Sequence, residues 1–373
     1  MVLVISACSN SNQRKQRANP LTQTELIERF QGIIDSAFRA VPEAKGMAMH
    51  VEAPTQEISI SLATGWADEA SKRKLKPNDP ALIASITKTY LSATFLRLVE
   101  MDKLSITEPI STHLPDTLIE MLKTAGYATD MINVAHLNSQ TSGIADYVNT
   151  ADYMGRSEYE PEYVWTRDEQ LKLAMTNPVI ASPGDTFAYS ETNNLLLGII
   201  VEEITGKPFY TAMRDLLAYD KNGLHHTWFP TLEEAPKDLA PLVHQFATKY
   251  KVESFSLHPS FDLYGGGGIA TTTKDVARFT QLFFSGELFN NPKTAELLYF
   301  QPVKIPENEY YMAHAKRQLG EFECYGHGGF WGTTTQYFPS LNASISIFLM
   351  ERDAWPHYLG ILEEVAKVIS SNE

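Results

Sequence analysis

The chain of 373 residues carries 45 acidic against 31 basic side chains, a formal charge of −14 at pH 7, and no Lys/Arg run long enough to track a phosphate backbone, which excludes nucleic acid as a partner. With 43% hydrophobic and 11% aromatic residues it has the composition of a folded chain, not of a disordered, collagen-like or coiled-coil one. At roughly 100–200 residues per domain it forms one large domain or two intimate ones, and its two cysteines, Cys8 and Cys324, cannot build a disulfide framework.

The chain opens on MVLVISAC, apolar up to Cys8, and runs into SNSNQRKQRANP, polar enough to be a flexible tether. Ile5-Ser6-Ala7-Cys8 resembles a bacterial lipobox, whose cysteine is lipidated and becomes the mature amino terminus. The expectation is a periplasmic protein, anchored to a membrane through a lipid on Cys8, whose true start lies upstream in a longer signal. The other readings are a secreted protein or an ordinary disordered terminus. No apolar stretch of about 18 residues is present to span a bilayer as a helix.

Thr22 with Glu25 makes a capping box, and Leu26, Ile27, Phe30, Ile33, Ile34 and Phe38 follow at helical spacing. Met47, Met49 and Val51, then Ile58, Ile60 and Leu62, alternate as two strands, and ADEASKRKLKPNDP after them is a solvated loop. At the other end Ile345, Ile347 and Leu349 alternate in a strand, Thr333 to Phe338 supply its neighbour, and Leu359, Leu362, Val365 and Ile369 mark a closing helix. Between about residues 81 and 290 the periodicities are mostly helical. These patterns predict an α/β fold: an antiparallel sheet built from both chain ends, flanked by terminal helices, with an inserted, mainly helical region. The corresponding divisions are 1–21 for the signal remnant and tether, 22–80 with 291–373 for the sheet domain, and 81–290 for the helical domain.

G-x-S-x-G, H-E-x-x-H and the Walker sequence are absent, but S-x-x-K occurs twice. Ser71 to Lys74 sits in the hydrophilic SKRKLKPNDP and reads as surface, whereas Ser85 to Lys88 sits in ALIASITKTYLSATFLRLVE, an almost wholly apolar helical segment. Residues three apart on a helix share a face, with Cβ atoms about 5–6 Å apart, so the Lys88 amine reaches the Ser85 hydroxyl. Burial disfavours an ammonium, so a neutral Lys88 amine is expected to accept or relay the serine proton. If Ser85 opens the helix, its own N–H points outward as an oxyanion donor. The competing reading, a snorkelling lysine beside a buried serine, stays open on spacing alone.

Further along, Pro183-Gly184 turns into the segment Thr186 to Asn194 and the apolar helix LLLGIIVEEITGKPF, which Gly206 stops. The order is S-x-x-K, then Tyr189 just before an apolar helix, then the glycines Gly265 to Gly268, then Tyr325-Gly326-His327-Gly328-Gly329-Phe330. This order resembles the serine β-lactamase and penicillin-recognising hydrolase family, and within it class C β-lactamases, D-alanyl-D-alanine carboxypeptidases, D-aminopeptidases and β-lactamase-like esterases. The likeness covers most of residues 40 to 350 and takes in Gln140-Thr141-Ser142-Gly143-Ile144 and Asp275-Val276-Ala277-Arg278-Phe279. It implies Ser85 as the acylated nucleophile, Lys88 as its partner, and Tyr189 as the general base that later protonates the leaving group. A phenol can do this only if a cation, here Lys88, lowers its pKa from about 10. The likeness also implies that His327 faces the substrate and that Phe330 N–H is the second oxyanion donor. Gly328 and Gly329 then let a substrate lie against the strand edge with no Cβ in the way.

Two departures from the family pattern bear on substrate. Glu191 stands where the lactamases usually carry asparagine; a carboxylate there suits a cationic amine or neutral ester better than an anionic penicillin. The alternative is that Ser190 caps the helix and Glu191 only complements its dipole. His327 replaces the lysine of K-T-G. With an unperturbed pKa near 6.5 it is expected to hold a substrate carboxylate loosely, so that KM for such substrates worsens from pH 6 to 8.

The glycine run through Ile269-Ala270 matches a loose dinucleotide pattern without the strand such a fingerprint needs, and close packing beside the site is the better explanation. No cofactor is therefore expected. His225, His226 and His244 lack metal-ligand spacing, so no metal is expected either. The leading expectation is a serine hydrolase that cleaves an ester or amide of a small-molecule or peptide substrate through an acyl-enzyme on Ser85. Its alternatives are a D-aminopeptidase or D-alanyl-D-alanine carboxypeptidase, a weak β-lactamase, and a non-catalytic sensor or binding protein that is acylated without turnover.

Overall fold

The computed structural model describes residues 20–305 and 309–372; Cys8 and residues 9–19 of the tether lie outside them. The helices that shape the molecule around its cleft are α1 (Gln23–Ala40), α2 (Thr87–Glu100), α3 (Val134–Asn138), α4 (Thr192–Thr205), α5 (Thr273–Ser285) and α6 (Tyr358–Ser371). Helix α1 begins at the expected box: Thr22 Oγ1 accepts from the Glu25 N–H while the Glu25 carboxylate accepts from the Thr22 N–H, satisfying two amides the first turn leaves open.

The main sheet holds seven strands, all antiparallel. In chain order they are β1 (Gly46–Ala53), β2 (Ile58–Asp68), β3 (Arg73–Lys74), β4 (Ala315–Leu319), β5 (Phe322–Gly329), β6 (Thr333–Phe338) and β7 (Ala343–Leu349). Their spatial order, β3-β2-β1-β7-β6-β5-β4, joins the two chain ends at the β1/β7 seam, with Met47 opposite Leu349 and Val51 opposite Ile345. The sheet built from both ends is thus as the alternations predict. The edge strand β4 adds to that expectation: only Leu319 of its Ala-Lys-Arg-Gln-Leu is buried, and a strand that buries so little carries no alternation to read.

Alternate residues of a strand point to opposite faces, and the two faces are covered differently. Met47, Met49 and Val51 of β1 and Ile345, Ile347 and Leu349 of β7 share one core with Phe30 and Ile34 of α1 and Leu362 and Val365 of α6. Helix α5 covers the other face and joins it to the helical region, its Phe279 and Phe283 sharing a second core with Tyr90, Leu91 and Phe95 of α2 and Leu196 of α4. Toward the sheet α5 meets hydroxyls. Thr280 Oγ1 lies 2.7 Å from Thr335 Oγ1, Thr335 Oγ1 lies 2.8 Å from Ser346 Oγ, and Ser344 Oγ donates to the Ala277 carbonyl at 2.7 Å.

Three distant segments converge where α2 begins. Ala81–Leu82 pairs with Ala270–Thr271, the Ile83 N–H donates to the Ile269 carbonyl, and Thr333 Oγ1 of β6 donates to the Ile83 carbonyl at 3.2 Å. The turn before α2, the glycine run and the β5/β6 end of the sheet are therefore fixed to one another. On β5, Cys324 is buried and its thiol pushed up to about 12 by that burial, which leaves it inert.

Candidate active site

Ser85 sits in a tight turn, Ala84–Ile86, that runs directly into α2. Ala84 has φ +44°, a left-handed backbone that costs a residue with a Cβ about 1–2 kcal/mol, so the turn presenting the hydroxyl is strained. One turn on, Lys88 is fully buried. Its Nζ donates to Ser85 Oγ at 2.9 Å and to the Gly266 carbonyl, and it lies 2.7 Å from Glu191 Oε2. This last contact is an ion pair met side-on, off the hydrogen-bond axis. Two oxygens accept N–H bonds from Nζ and the Glu191 carboxylate sets a counter-charge 2.7 Å away, the surroundings of an ammonium rather than of a neutral amine. The expected neutral amine is corrected accordingly: Lys88 is a paired cation, and it points inward rather than snorkelling. Ser85 Oγ, already accepting from Lys88, directs its own hydrogen to Glu191 Oε1 at 3.4 Å.

Glu191 reaches this position because another residue caps its helix. Asp146 Oδ1 accepts from the Glu191 N–H at 3.2 Å and from the Val148 N–H at 3.1 Å. Gln140 Oε1 accepts from the Ser190 N–H at 2.9 Å and from Asn193 Nδ2 at 2.6 Å. Neither Ser190 nor Glu191 caps α4 through its side chain, and the Glu191 carboxylate turns into the cleft. The glycine run is its far wall. A Cβ on Gly266 would stand 2.2 Å from Glu191 Oε2, and one on Gly267 would stand 2.0 Å from Asp262 Oδ2. The missing Cβ atoms leave the space that the two carboxylates occupy.

Three carboxylates and one ammonium leave an excess of negative charge. Asp146 and Asp262 are each pushed up to about 7, first by burial and then by the charge of Glu191. Near neutrality these acids retain protons for part of the population, which limits the repulsion. The Tyr189 phenol is also pushed well above its ordinary value, by burial and then by Glu191, although its hydrogen bond with Ser85 pulls the other way and Lys88 Nζ lies 5.2 Å from its ring centroid. The expectation that Lys88 lowers the Tyr189 phenol is corrected here: the ammonium is matched by Glu191, and Tyr189 keeps its proton.

His327 lies on β5 opposite Thr335. Its Nδ1 is 2.6 Å from the Gly328 carbonyl oxygen and its Nε2 is 3.1 Å from the Tyr310 hydroxyl. A carbonyl cannot donate, so these partners assign the proton to Nδ1 and make Nε2 the acceptor of the Tyr310 O–H. Burial, followed by the charge of Lys88, pushes the imidazole down to about 3. His327 is neutral through the physiological range with both nitrogens engaged, and no N–H is left over for a substrate carboxylate. The expected worsening of KM between pH 6 and 8 is therefore replaced by a flat profile.

Tyr310 also meets Phe187 at 5.4 Å and Tyr189 edge-on at 6.3 Å between ring centroids, so one side of the cleft is a run of aromatic rings. Phe330 supplies the other side, packed on Tyr250 at 5.4 Å and Phe261 at 5.9 Å. Of the two glycines before it, Gly329 is the demanding one: a Cβ there would strike the Ile83 carbonyl at 2.1 Å, while at Gly328 the nearest atoms stand 3.6 Å away. Gly329 thus brings the end of β5 against the Ser85 turn. Sequence reasoning does not single out Tyr310, Asp146 or Asp262 for this cleft; each comes from a loop, and the one available signal was the need for acids to match Lys88.

The remaining motifs resolve as structure. Ser71 and Lys74 are exposed, and Lys74 Nζ lies 3.4 Å over the Trp66 ring. His226 pairs with Asp238, and His244 sits between Asp68 and Glu253. Among the described residues no group of three or more His, Cys, Asp or Glu side chains is arranged to hold a metal ion.

Comparison with known proteins agrees with this geometry. The Beta-lactamase family model matches residues 34–357. Esterase EstB of Burkholderia gladioli is 27% identical over 203 residues, 53% of this chain and 50% of that protein. The teichoic acid D-alanine hydrolase of Staphylococcus aureus is 26% identical over 286 residues, 74% of this chain and 63% of that protein. The chain thus matches half to two thirds of the length of these relatives. Among solved structures, D-amino acid amidase from Ochrobactrum anthropi complexed with D-phenylalanine superposes with a TM-score of 0.76 at 20% identity, over 93% of this chain and 99% of that one, which shows a shared fold.

Proposed function

The chain belongs to the Beta-lactamase family, and from that premise we propose that it is a serine hydrolase cleaving an ester or amide through an acyl-enzyme on Ser85. The observation that carries this reading is the Ser85 hydroxyl on a strained turn, hydrogen-bonded to a fully buried Lys88 ammonium and directed at a carboxylate. A binding protein has no use for such an arrangement, which serves to take a proton from serine as it attacks a carbonyl. Ser85 N–H, in the first turn where amides lack intrahelical acceptors, and Phe330 N–H are the oxyanion donors of this reading.

Two features favour a substrate without a carboxylate. His327 has both nitrogens engaged, and Glu191 places negative charge beside the nucleophile. Neutral or cationic esters and amides, D-aminoacyl derivatives among them, therefore rank ahead of penicillins and of peptides ending in a free carboxylate. The esterase and the D-alanine hydrolase among its relatives support that order. The lipobox-like Ile5-Ser6-Ala7-Cys8 supports a periplasmic, lipid-anchored setting, which fatty-acid labelling of wild type against Cys8→Ala tests.

The deciding experiment is intact mass and peptide mapping after exposure to a fluorophosphonate, on wild type and Ser85→Ala. One adduct, on Ser85 and absent from the variant, is expected. Hydrolysis of p-nitrophenyl esters or D-amino-acid p-nitroanilides is expected to fall by about 10³-fold or more in Ser85→Ala, and a chromogenic cephalosporin to be a poor substrate. Labelling that survives Ser85→Ala refutes the assignment, and stable acylation without turnover makes the protein a sensor.

A further inference from the structure

We propose that Glu191 is the base that takes the Ser85 proton, with the Tyr189 phenol serving as proton donor to the leaving group. This rests on the serine-hydrolase reading and assigns the proton acceptor within it. A general base must lie at the far end of the O–H bond and must itself be unprotonated. Lys88 meets neither condition, since it donates to Ser85 Oγ and has three oxygens around its ammonium. Tyr189 as a phenolate would set a second anion beside Glu191, against the one cation at the nucleophile, and although the phenol also hydrogen-bonds with Ser85, which favours the phenolate, burial and Glu191 outweigh that contact and hold its proton in place. Glu191 Oε1 accepts from the Ser85 hydroxyl at 3.4 Å, a separation that a bound substrate can tighten. Gly266 has no side chain to displace that carboxylate, and Asp146, by holding the Glu191 N–H, acts as a positioning residue.

The step balances. As Ser85 Oγ bonds to the substrate carbonyl carbon, its proton passes to Glu191 Oε1 and the carbonyl π pair moves onto oxygen. The negative charge leaves Glu191 and reappears on the substrate, still within the field of Lys88. Collapse re-forms the carbonyl and breaks the bond to the leaving oxygen or nitrogen, which takes a proton from Tyr189; Glu191 then re-protonates Tyr189. Deacylation repeats the sequence with water as nucleophile and the Ser85 oxygen as leaving group.

The test uses Glu191→Gln, Glu191→Gly and Tyr189→Phe on a neutral p-nitrophenyl ester, whose phenolate leaves without a proton, with circular dichroism to establish folding. Glu191→Gln is expected to lose about 10²–10⁴-fold in kcat/KM. Added formate is expected to restore Glu191→Gly saturably, which a purely structural role would not produce. Tyr189→Phe is expected to lose less than Glu191→Gln on this ester and much more on a p-nitroanilide. Glu191→Gln within about threefold of wild type, or a folded Glu191→Gly that formate does not restore, overturns the proposal. So does Tyr189→Phe losing more than about 10³-fold in kcat/KM on the ester, which reports acylation and not the Tyr189-assisted deacylation, a criterion that holds even if the Glu191 variants fail to fold. Fluorophosphonate labelling separates the two levels: no adduct on folded wild type sinks the hydrolase reading, while equal labelling of wild type and Glu191→Gln sinks only the role of Glu191.

Discussion

Under α5 one cluster of the buried polar groups consists of hydroxyls: Thr280, Thr335 and Ser346 link in a row, and Ser344 reaches the Ala277 carbonyl. In the cleft they are ions: Lys88 against Glu191, with Asp146 and Asp262 close by. A hydroxyl both donates and accepts, so the row is satisfied by rotation alone and stays so at any pH. A carboxylate only accepts, and three of them around one ammonium can be accommodated only by holding protons back. The first network fastens a helix to a sheet, while the second has protons to move. Reactivity resides in the part of the interior that is electrically unbalanced.

Substitutions that exchange the two characters sharpen the contrast. The largest effect is expected from Gly266→Ala, which drives a methyl group onto Glu191 Oε2. A loss of about 10–100-fold in kcat/KM is predicted, with a melting temperature close to wild type, measured by ester hydrolysis and calorimetry. Wild-type kinetics in this variant would mean that Glu191 can move aside at no cost to catalysis.

Asp146→Asn comes next and acts through pH. Folding raises this acid to about 7, so the folded state holds the proton more tightly than the unfolded chain does. The resulting stability is intact below about pH 4, the unfolded value, and is lost as pH rises through 4 to 7. Asparagine keeps the acceptor for the Glu191 N–H and removes the ionisation. The variant should melt a few degrees above wild type at pH 8, with the gap closing toward pH 4. An equal gap at both pH values would contradict the charge argument.

The smallest effect is expected in the neutral row. Thr335→Val breaks both of its hydroxyl contacts and is predicted to cost about 1–2 kcal/mol of stability, by urea denaturation, equally at pH 5 and pH 8. A pH-dependent cost would show that the row is coupled to an ionising group after all.

How far the sequence can be read follows the same division. Strands β1, β2, β6 and β7 are legible because a half-buried strand shows alternation, and β4 is not, because Lys316, Arg317 and Gln318 sit on an edge. Ser85 and Lys88 stand out because a lysine in an apolar helix demands a partner. Glu191 is ambiguous, since an acid at a helix start serves the dipole equally well. What decides its direction is Asp146, 45 residues earlier, which takes over the capping of α4. Protonation states are the least legible of all. A neutral Lys88 and an acidified Tyr189 each follow from considering one pair, whereas the charge state is set by Lys88, Glu191, Asp146 and Asp262 together.

The β1/β7 seam carries a consequence for biogenesis. The centre of the sheet joins an early strand to the last one, and the turn bearing Ser85 is held through its Ile83 carbonyl by Thr333, far toward the carboxyl end. A ribosome must release the chain through β6 and β7 before both can form, and such non-local closure is slow. A chain that has emerged only as far as α5 carries Ser85 and Lys88 without the β6 anchor of their turn, so the geometry around the Ser85 hydroxyl is completed only once β6 has followed.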